Sequence, residues 1–309
     1  MVNDLSATRL DAPGLLPRVE VLLENIASGV AFVTIRRTAS GRTFLVRGAV
    51  LQPVTDAISV VDFECPFNRQ IQYVAELFDA SGISLGFTSP AIMGDIESGG
   101  LLPGEDEFPG EDVFPELGVI GTGVISTDTW MHNPLNPDGG VRVQLMDTAA
   151  RALSRPVPGG VVYPRGRRVG VMVAEPRRGV QGIVLDVFCE DLETADQIQA
   201  FLGDYSTTTV PVICVRLGLE DGRMRVPQPL FLGTNDIVEE DVNVRWGGVN
   251  TIQRITGSEV APPAPGLFVP LLTYADLNAF YETYTAFNAA YASYLAASRD
   301  YSLAGFADI

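Results

Sequence analysis

The chain has 309 residues, 46% of them hydrophobic, with 38 acidic against 21 basic residues and a net charge of −17. That charge excludes generic binding to nucleic-acid phosphates or anionic membranes, which needs basic surface. No run of about 18 apolar residues is present, which excludes an ordinary transmembrane helix, and Met1-Val2-Asn3-Asp4-Leu5 lacks the basic start and apolar core of a signal peptide.

The expectation is a protein made in the cytoplasm without Sec export, with no membrane insertion and no stable nucleic-acid binding. Its length suits two domains. All 21 basic residues are arginine. A GC-rich genome accounts for that usage, and the guanidinium also suits bidentate interface contacts. Cys65, Cys189 and Cys214 are widely spaced and lie in or beside apolar runs, which predicts buried thiols in a reducing compartment.

Residues 1–93 read as a β-sandwich. Strands are predicted at 19–23, 30–36, 43–46, 58–63, 70–78 and 83–87, separated by turn signals such as Ala39-Ser40-Gly41 and Asp79-Ala80-Ser81-Gly82. The segment Gln70–Asp79 resembles a late strand of a fibronectin type III-like domain, with Tyr73 in the core-anchoring place.

Residues 94–118 form a strap with eight acidic residues and no basic one. Pro103-Gly104-Glu105-Asp106-Glu107-Phe108 is followed directly by Pro109-Gly110-Glu111-Asp112-Val113-Phe114. Proline and like charge favour an extended, solvated segment. Two readings stand: a plain linker, or a strap whose Phe108 and Phe114 plug into a neighbouring subunit.

A second β domain is predicted over 119–266, with strands at 119–126, 141–146, 168–174, 182–189, 210–217, 230–238, 242–246 and 250–255. One helix is predicted over 191–202, with acidic residues in its first turn and Leu192, Ala195, Ile198, Phe201 and Leu202 on one face. Between 151 and 178 the sign reverses: Arg151, Arg155, Arg165, Arg167, Arg168, Arg177 and Arg178 are accompanied only by Glu175. Such a run is either a solvated face or one side of a complementary contact between copies. The last region, 267–309, carries a predicted helix over 274–298 with Thr273 as its N-cap and Asp276 at N3. Its stripe Leu277, Tyr281, Tyr284, Tyr291, Leu295 packs on its own domain or docks on a neighbouring protein.

Familiar chemistry is missing. There is no phosphate-binding loop, no dinucleotide fingerprint and no nucleophile elbow. The single histidine, His132, is read at a loop start and leaves a Ser or Cys nucleophile only one available imidazole. Glu190-Asp191, Glu220-Asp221 and Glu239-Glu240-Asp241 are carboxylate clusters without a distinguishing context, and Asp236 with Glu239, Glu240 and Asp241 offers oxygen ligands of the kind Ca²⁺ takes. No catalytic site, cofactor or metal is expected.

Four features taken together resemble the minor tail proteins of long-tailed actinobacteriophages, of the distal-tail type. They are the Arg-rich approach Val173–Gly182, the strand–helix unit Ile183–Leu202, the strand pair near Pro229–Arg245 with the proline-rich exit Val260–Pro265, and the closing helix that opens Thr273-Tyr274-Ala275-Asp276-Leu277. The resemblance spans about residues 119–300. It implies a tail-tube-like domain that forms a six-fold homo-oligomeric ring, lets DNA pass, and joins the tail tube protein to tip or fibre proteins in the virion. The N-terminal sandwich and the acidic strap are not part of a minimal distal tail protein, so a peripheral tip subunit remains the companion reading. A carbohydrate- or receptor-binding tail-tip module is the alternative function, with Trp130 and Trp246 as the tryptophan platforms. Interface candidates are Phe108, Phe114, Arg165, Arg167, Arg168, Arg177, Arg178, Tyr281, Tyr284 and Tyr291.

Overall fold

The computed structural model describes residues 3–10, 16–94, 96, 124–203, 209–218, 224–267, 272–281, 283–303 and 307, with backbone only at 124–128 and 301. The fold is mainly β, as the strand spacing implies. The described residues fall into two compact units, one within 1–102, 134–138 and 263–309, the other within 103–133 and 139–262.

The first unit contains strands β1 (Asp4–Leu10), β2 (Arg18–Glu24), β3 (Phe32–Ala39), β4 (Arg42–Leu45), β5 (Gln52–Pro53), β6 (Ile58–Asp62), β7 (Ile71–Phe78), β8 (Ser84–Phe87) and β9 (Ala91–Met93). One sheet has the order β1-β2-β6, the other β4-β3-β7-β8, with β5 on β3 and β9 on β7. Alternation explains β7: Ile71, Tyr73, Ala75 and Leu77 are buried, while the residues between them are partly or fully exposed. Turn chemistry fixes the β3–β4 hairpin. Ser40 and Gly41 both have positive φ and close a two-residue loop between Ala39 and Arg42, the geometry that matches strand twist.

A polar cluster sits in the sandwich core. The Arg37 guanidinium donates through Nη1 to both Asp62 oxygens at 2.5 and 2.6 Å, the Tyr73 hydroxyl donates to Asp62 Oδ2 at 2.9 Å, and the Glu64 amide donates to Oδ1 at 2.9 Å. Arg37 also lies over the Phe44 ring, 5.5 Å from its centroid. Burial alone would lower the Arg37 pKa, but the facing Asp62, Tyr73 and Glu64 outweigh it and hold the group charged.

The second unit contains β10 (Val124–Asn133), β11 (Asn136–Met146), β12 (Gly159–Val162), β13 (Val171–Ala174), β14 (Ile183–Cys189), α1 (Leu192–Gln199), β15 (Val212–Arg216), β16 (Leu230–Gly233), β17 (Ile237–Asp241) and β18 (Thr251–Glu259). Its main sheet runs β14-β11-β10-β15-β16-β18-β17, and a further β14–β18 pairing closes six of these strands into a barrel. Closure removes the sheet edges that would otherwise template aggregation. The barrel is filled rather than hollow: Met131, Val143, Leu145, Leu185, Ile213, Leu232 and Ile255 form one buried cluster.

Helix α1 is where periodicity placed it. Asp191 accepts from the Thr194 amide at 2.6 Å as N-cap, and a 3₁₀ turn, Ala200–Leu202, ends at Gly203 with φ +89°. Helix and turn reach β14 and β18 on one side and β10 and β15 on the other, so Ala195, Ile198 and Phe201 stopper one end of the barrel.

Several expectations are corrected. The segment 242–246 is a 3₁₀ turn, Val244–Trp246, rather than a strand, because the Asp241 carboxylate caps it and Gly247 ends it in the left-handed region. His132 is interior to β10, paired in register with Cys214 and fully buried, not at a loop start. The cysteines, by contrast, are as expected: Cys65, Cys189 and Cys214 are buried and unbridged, and burial pushes the Cys189 thiol up to about 11.

Candidate assembly interface

The Arg-rich region folds as an arm. Among the described residues β12 and β13 pair only with each other, in the register Gly159↔Ala174 to Val162↔Val171. The arm grows out of the second unit through a bridge between Ser154 and Gln181 and through backbone bonds from Arg178 to Pro156 and from Glu175 to Pro158. At its tip the Arg167 amide donates to the Pro164 carbonyl across Gly166, whose φ of +84° a type II turn requires at that position.

Both faces of the arm are apolar and both are wet. Val162, Val171 and Val173 share one face with Gly160; Val161 and Met172 share the other with Gly159 and Ala174. These five large side chains are 45–59% exposed, and Val169 at the tip is 79% exposed. A hairpin of two strands is marginal by itself in water, and an apolar surface of this kind marks an interaction site.

Of the predicted interface arginines, Arg165, Arg167 and Arg168 come together at the tip, while Arg177 and Arg178 lie at the foot. Arg177 Nε donates to the Arg155 carbonyl, and Arg178 makes a 3.4 Å ion pair with Glu175. The tip arginines are exposed.

The C-terminal tyrosines are arranged differently from the single helix expected over 274–298. Three short helices replace it: α2 (Tyr274–Phe280), α3 (Tyr284–Ala290) and α4 (Tyr294–Ser298). Each starts at its own N-cap, Thr273, Thr283 or Ser293, whose side chain accepts from the amide three residues on. Tyr281 and Tyr291 break the helix in extended conformation.

The signal was present as a ten-residue repeat: Thr273-Tyr274, Thr283-Tyr284, Ser293-Tyr294, and again Tyr281, Tyr291, Tyr301. Capping residues recur every ten positions and stop each helix before a 3.5-residue stripe can run on.

The rungs stack. The Tyr281 hydroxyl donates to that of Tyr291 at 3.1 Å, and Tyr291 donates to Asp300 Oδ2 at 2.6 Å. Burial, then these hydrogen bonds, push the Tyr291 phenol up. Tyr284 and Tyr294 meet through their hydroxyls, and Tyr281, Tyr284, Tyr291 and Tyr294 gather around Phe287, with ring centroids 5.4–6.1 Å away.

This stack lies on its own unit. β2 is buried along its whole length up to Glu24, and Arg18, Glu20 and Leu22 share the face opposite Val19, Val21 and Leu23. Arg299 grips Glu20 with two bonds, 2.7 and 2.8 Å, while α4 packs on β6. Burial alone would raise the Glu20 carboxyl, but the Arg299 and Ser59 hydrogen bonds outweigh it and hold it below the usual 4.5. A carboxylate lowered in the fold stabilises above its unfolded pKa and loses that contribution as pH falls through the folded value. The C-terminal rungs are therefore expected to become protease-sensitive on acidification below about 4.5, and Glu20→Gln should remove that pH step. Rungs that loosen identically with and without the substitution would contradict the latch.

The remaining candidates fall elsewhere. Phe108 and Phe114 lie outside the described residues. Trp130 is buried, which removes it as a platform, and Trp246 is 82% exposed. Glu239 accepts from Gln253, Glu240 and Asp186 hold Arg254, and Asp241 pairs with Arg245. Among the described residues no group of His, Cys, Asp and Glu is arranged to hold a metal ion. Comparison of the chain with protein families, with curated proteins and with solved structures gives no match.

Proposed function

We propose that the chain is a structural subunit of a phage tail tip, a hub protein whose copies close into a ring between the tail tube and the tip or fibre proteins. The observation that carries the assembly reading is the arm at 157–178, with valines bare on both faces and arginines at the tip of a chain of net charge −17. A second copy supplies acidic surface for that tip, and head-to-tail closure needs two such unlike surfaces on each subunit. The tail assignment rests on the resemblance over residues 119–300.

In this reading DNA passes through the centre of the ring, bounded by several copies, since the barrel interior is filled with side chains. An acidic chain suits such a passage, because each cationic phosphate contact adds affinity and would retard the strand. Negative-stain imaging of the purified protein, alone and with tail-tube and tip partners, tests the proposal. Rotationally symmetric rings with a central hole are expected. Particles that stay monomeric with the partners present would end it, and would leave the peripheral binding module as the working description.

A further inference from the structure

The C-terminal rungs enclose a cleft of about 290 Å³ lined by Tyr274, Leu277, Asn278, Tyr281, Thr283, Tyr284 and Phe287. We propose that this cleft binds a neutral saccharide, a unit of an uncharged glycan chain. Three observations carry the proposal, and none depends on the ring.

Among the described residues the lining has aromatic faces and hydroxyl or amide groups and no charged side chain. These groups offer an anionic or cationic ligand no counter-charge. Sugar rings present C–H faces that suit the negative face of an aromatic ring, and hydroxyls that both donate and accept. Asn278 offers an amide that does both, and Thr283 keeps a hydroxyl proton to donate while its oxygen caps α3. The volume is close to the lower end of ligand pockets, roughly 300 Å³, which suits a short saccharide segment.

The second observation is the recurrence of tyrosine at one solvent-facing repeat position. Tyr274, Tyr284 and Tyr294 remain 71, 63 and 59% exposed, whereas at the matching position Phe287 and Ala297 are buried and Leu277 is half-buried. Tyr284 and Tyr294 rest against Phe287 and still leave more than half of their surface in solvent, as does Tyr274. A row of platforms at one repeat spacing suits a ligand that itself repeats.

The third is rigidity. The rungs are fixed by three side-chain caps, by the Tyr281–Tyr291–Asp300 relay and by the Arg299 grip on Glu20. Side chains held in place before the ligand arrives lose less entropy on binding.

The test is titration of the full chain with maltose, cellobiose and lactose at millimolar concentrations, followed by tyrosine fluorescence and by ligand-observed NMR, with a proline-rich peptide as the competing class. At least one disaccharide is expected to bind, and Tyr274→Ala and Asn278→Ala, both on exposed side chains, should each weaken it by roughly tenfold with unchanged melting temperature. Trp246→Ala, in the other unit, should leave it unaltered. Absence of any saccharide response, a response indifferent to both cleft substitutions, or binding of the peptide alone would each overturn the proposal. Ring formation is read separately by imaging, so failure here and failure of the hub reading are distinguishable.

Discussion

Placing aspartate at Val162, Val171 and Val173 is expected to abolish self-association while leaving both units folded. The three side chains share one face of the arm and are 45–59% exposed, so the isolated subunit gives up only the half of each side chain that it buries. In the proposed assembly the other half is dry. Burying that half contributes ~1 kcal/mol per valine, and each aspartate adds the cost of stripping water from a charge. The dissociation constant should therefore rise by at least about a hundredfold. Sedimentation velocity across a concentration series would measure it. Replacing Arg165, Arg167 and Arg168 with glutamine probes the electrostatic half: association should slow and its dependence on salt should fall away. Wild-type association in the valine variant would remove the arm from the interface.

The second large effect is expected inside the sandwich. Asp62→Ala leaves the Arg37 guanidinium, 1% exposed, without the carboxylate that accepts two of its bonds. Breaking one partner of a buried pair typically costs about 3–5 kcal/mol. Tyr73→Phe removes one bond to the same carboxylate and should cost less, ~1.5–3 kcal/mol. Replacing all three residues together, as Arg37→Met, Asp62→Leu and Tyr73→Phe, should recover most of the loss, because no unpaired charge remains.

Spectroscopy can locate the effect. Trp130 and Trp246, the chain's two tryptophans, both belong to the barrel unit, whereas Tyr73 and the C-terminal tyrosines belong to the sandwich unit. Urea unfolding should show the tyrosine-reported transition moving to lower denaturant and the tryptophan-reported one holding still. A tryptophan transition that moves equally would mean that the pair stabilises the chain as a whole.

What the sequence determined by itself is local. Alternation in Ile71–Phe78, the Ser40-Gly41 turn and the stripe and caps of 191–202 each depend on neighbours within a few residues, and those elements stand where expected. The ten-residue caps at Thr273, Thr283 and Ser293 were equally local, yet the aromatic stripe pointed to one continuous helix because its spacing also fits a helical period. Within the site, the clustering of arginines at 165–168 was legible; that they tip an arm was not.

Three features were decided only by the tertiary structure. A strand was expected at 168–174 and none at 159–162, and only the lack of a third strand beside their hairpin among the described residues shows both faces in solvent. The barrel closes through β14 and β18, whose paired residues are 62 to 74 positions apart, Cys189 with Thr251 and Ile183 with Gly257, and no local period encodes that register. Glu20 and Arg299 are 279 residues apart and become partners because the outer face of β2 must be covered and the C-terminal rungs cover it. Pairings across such separations are chosen by which surfaces remain to be buried after the local elements form, and that is a property of the whole fold.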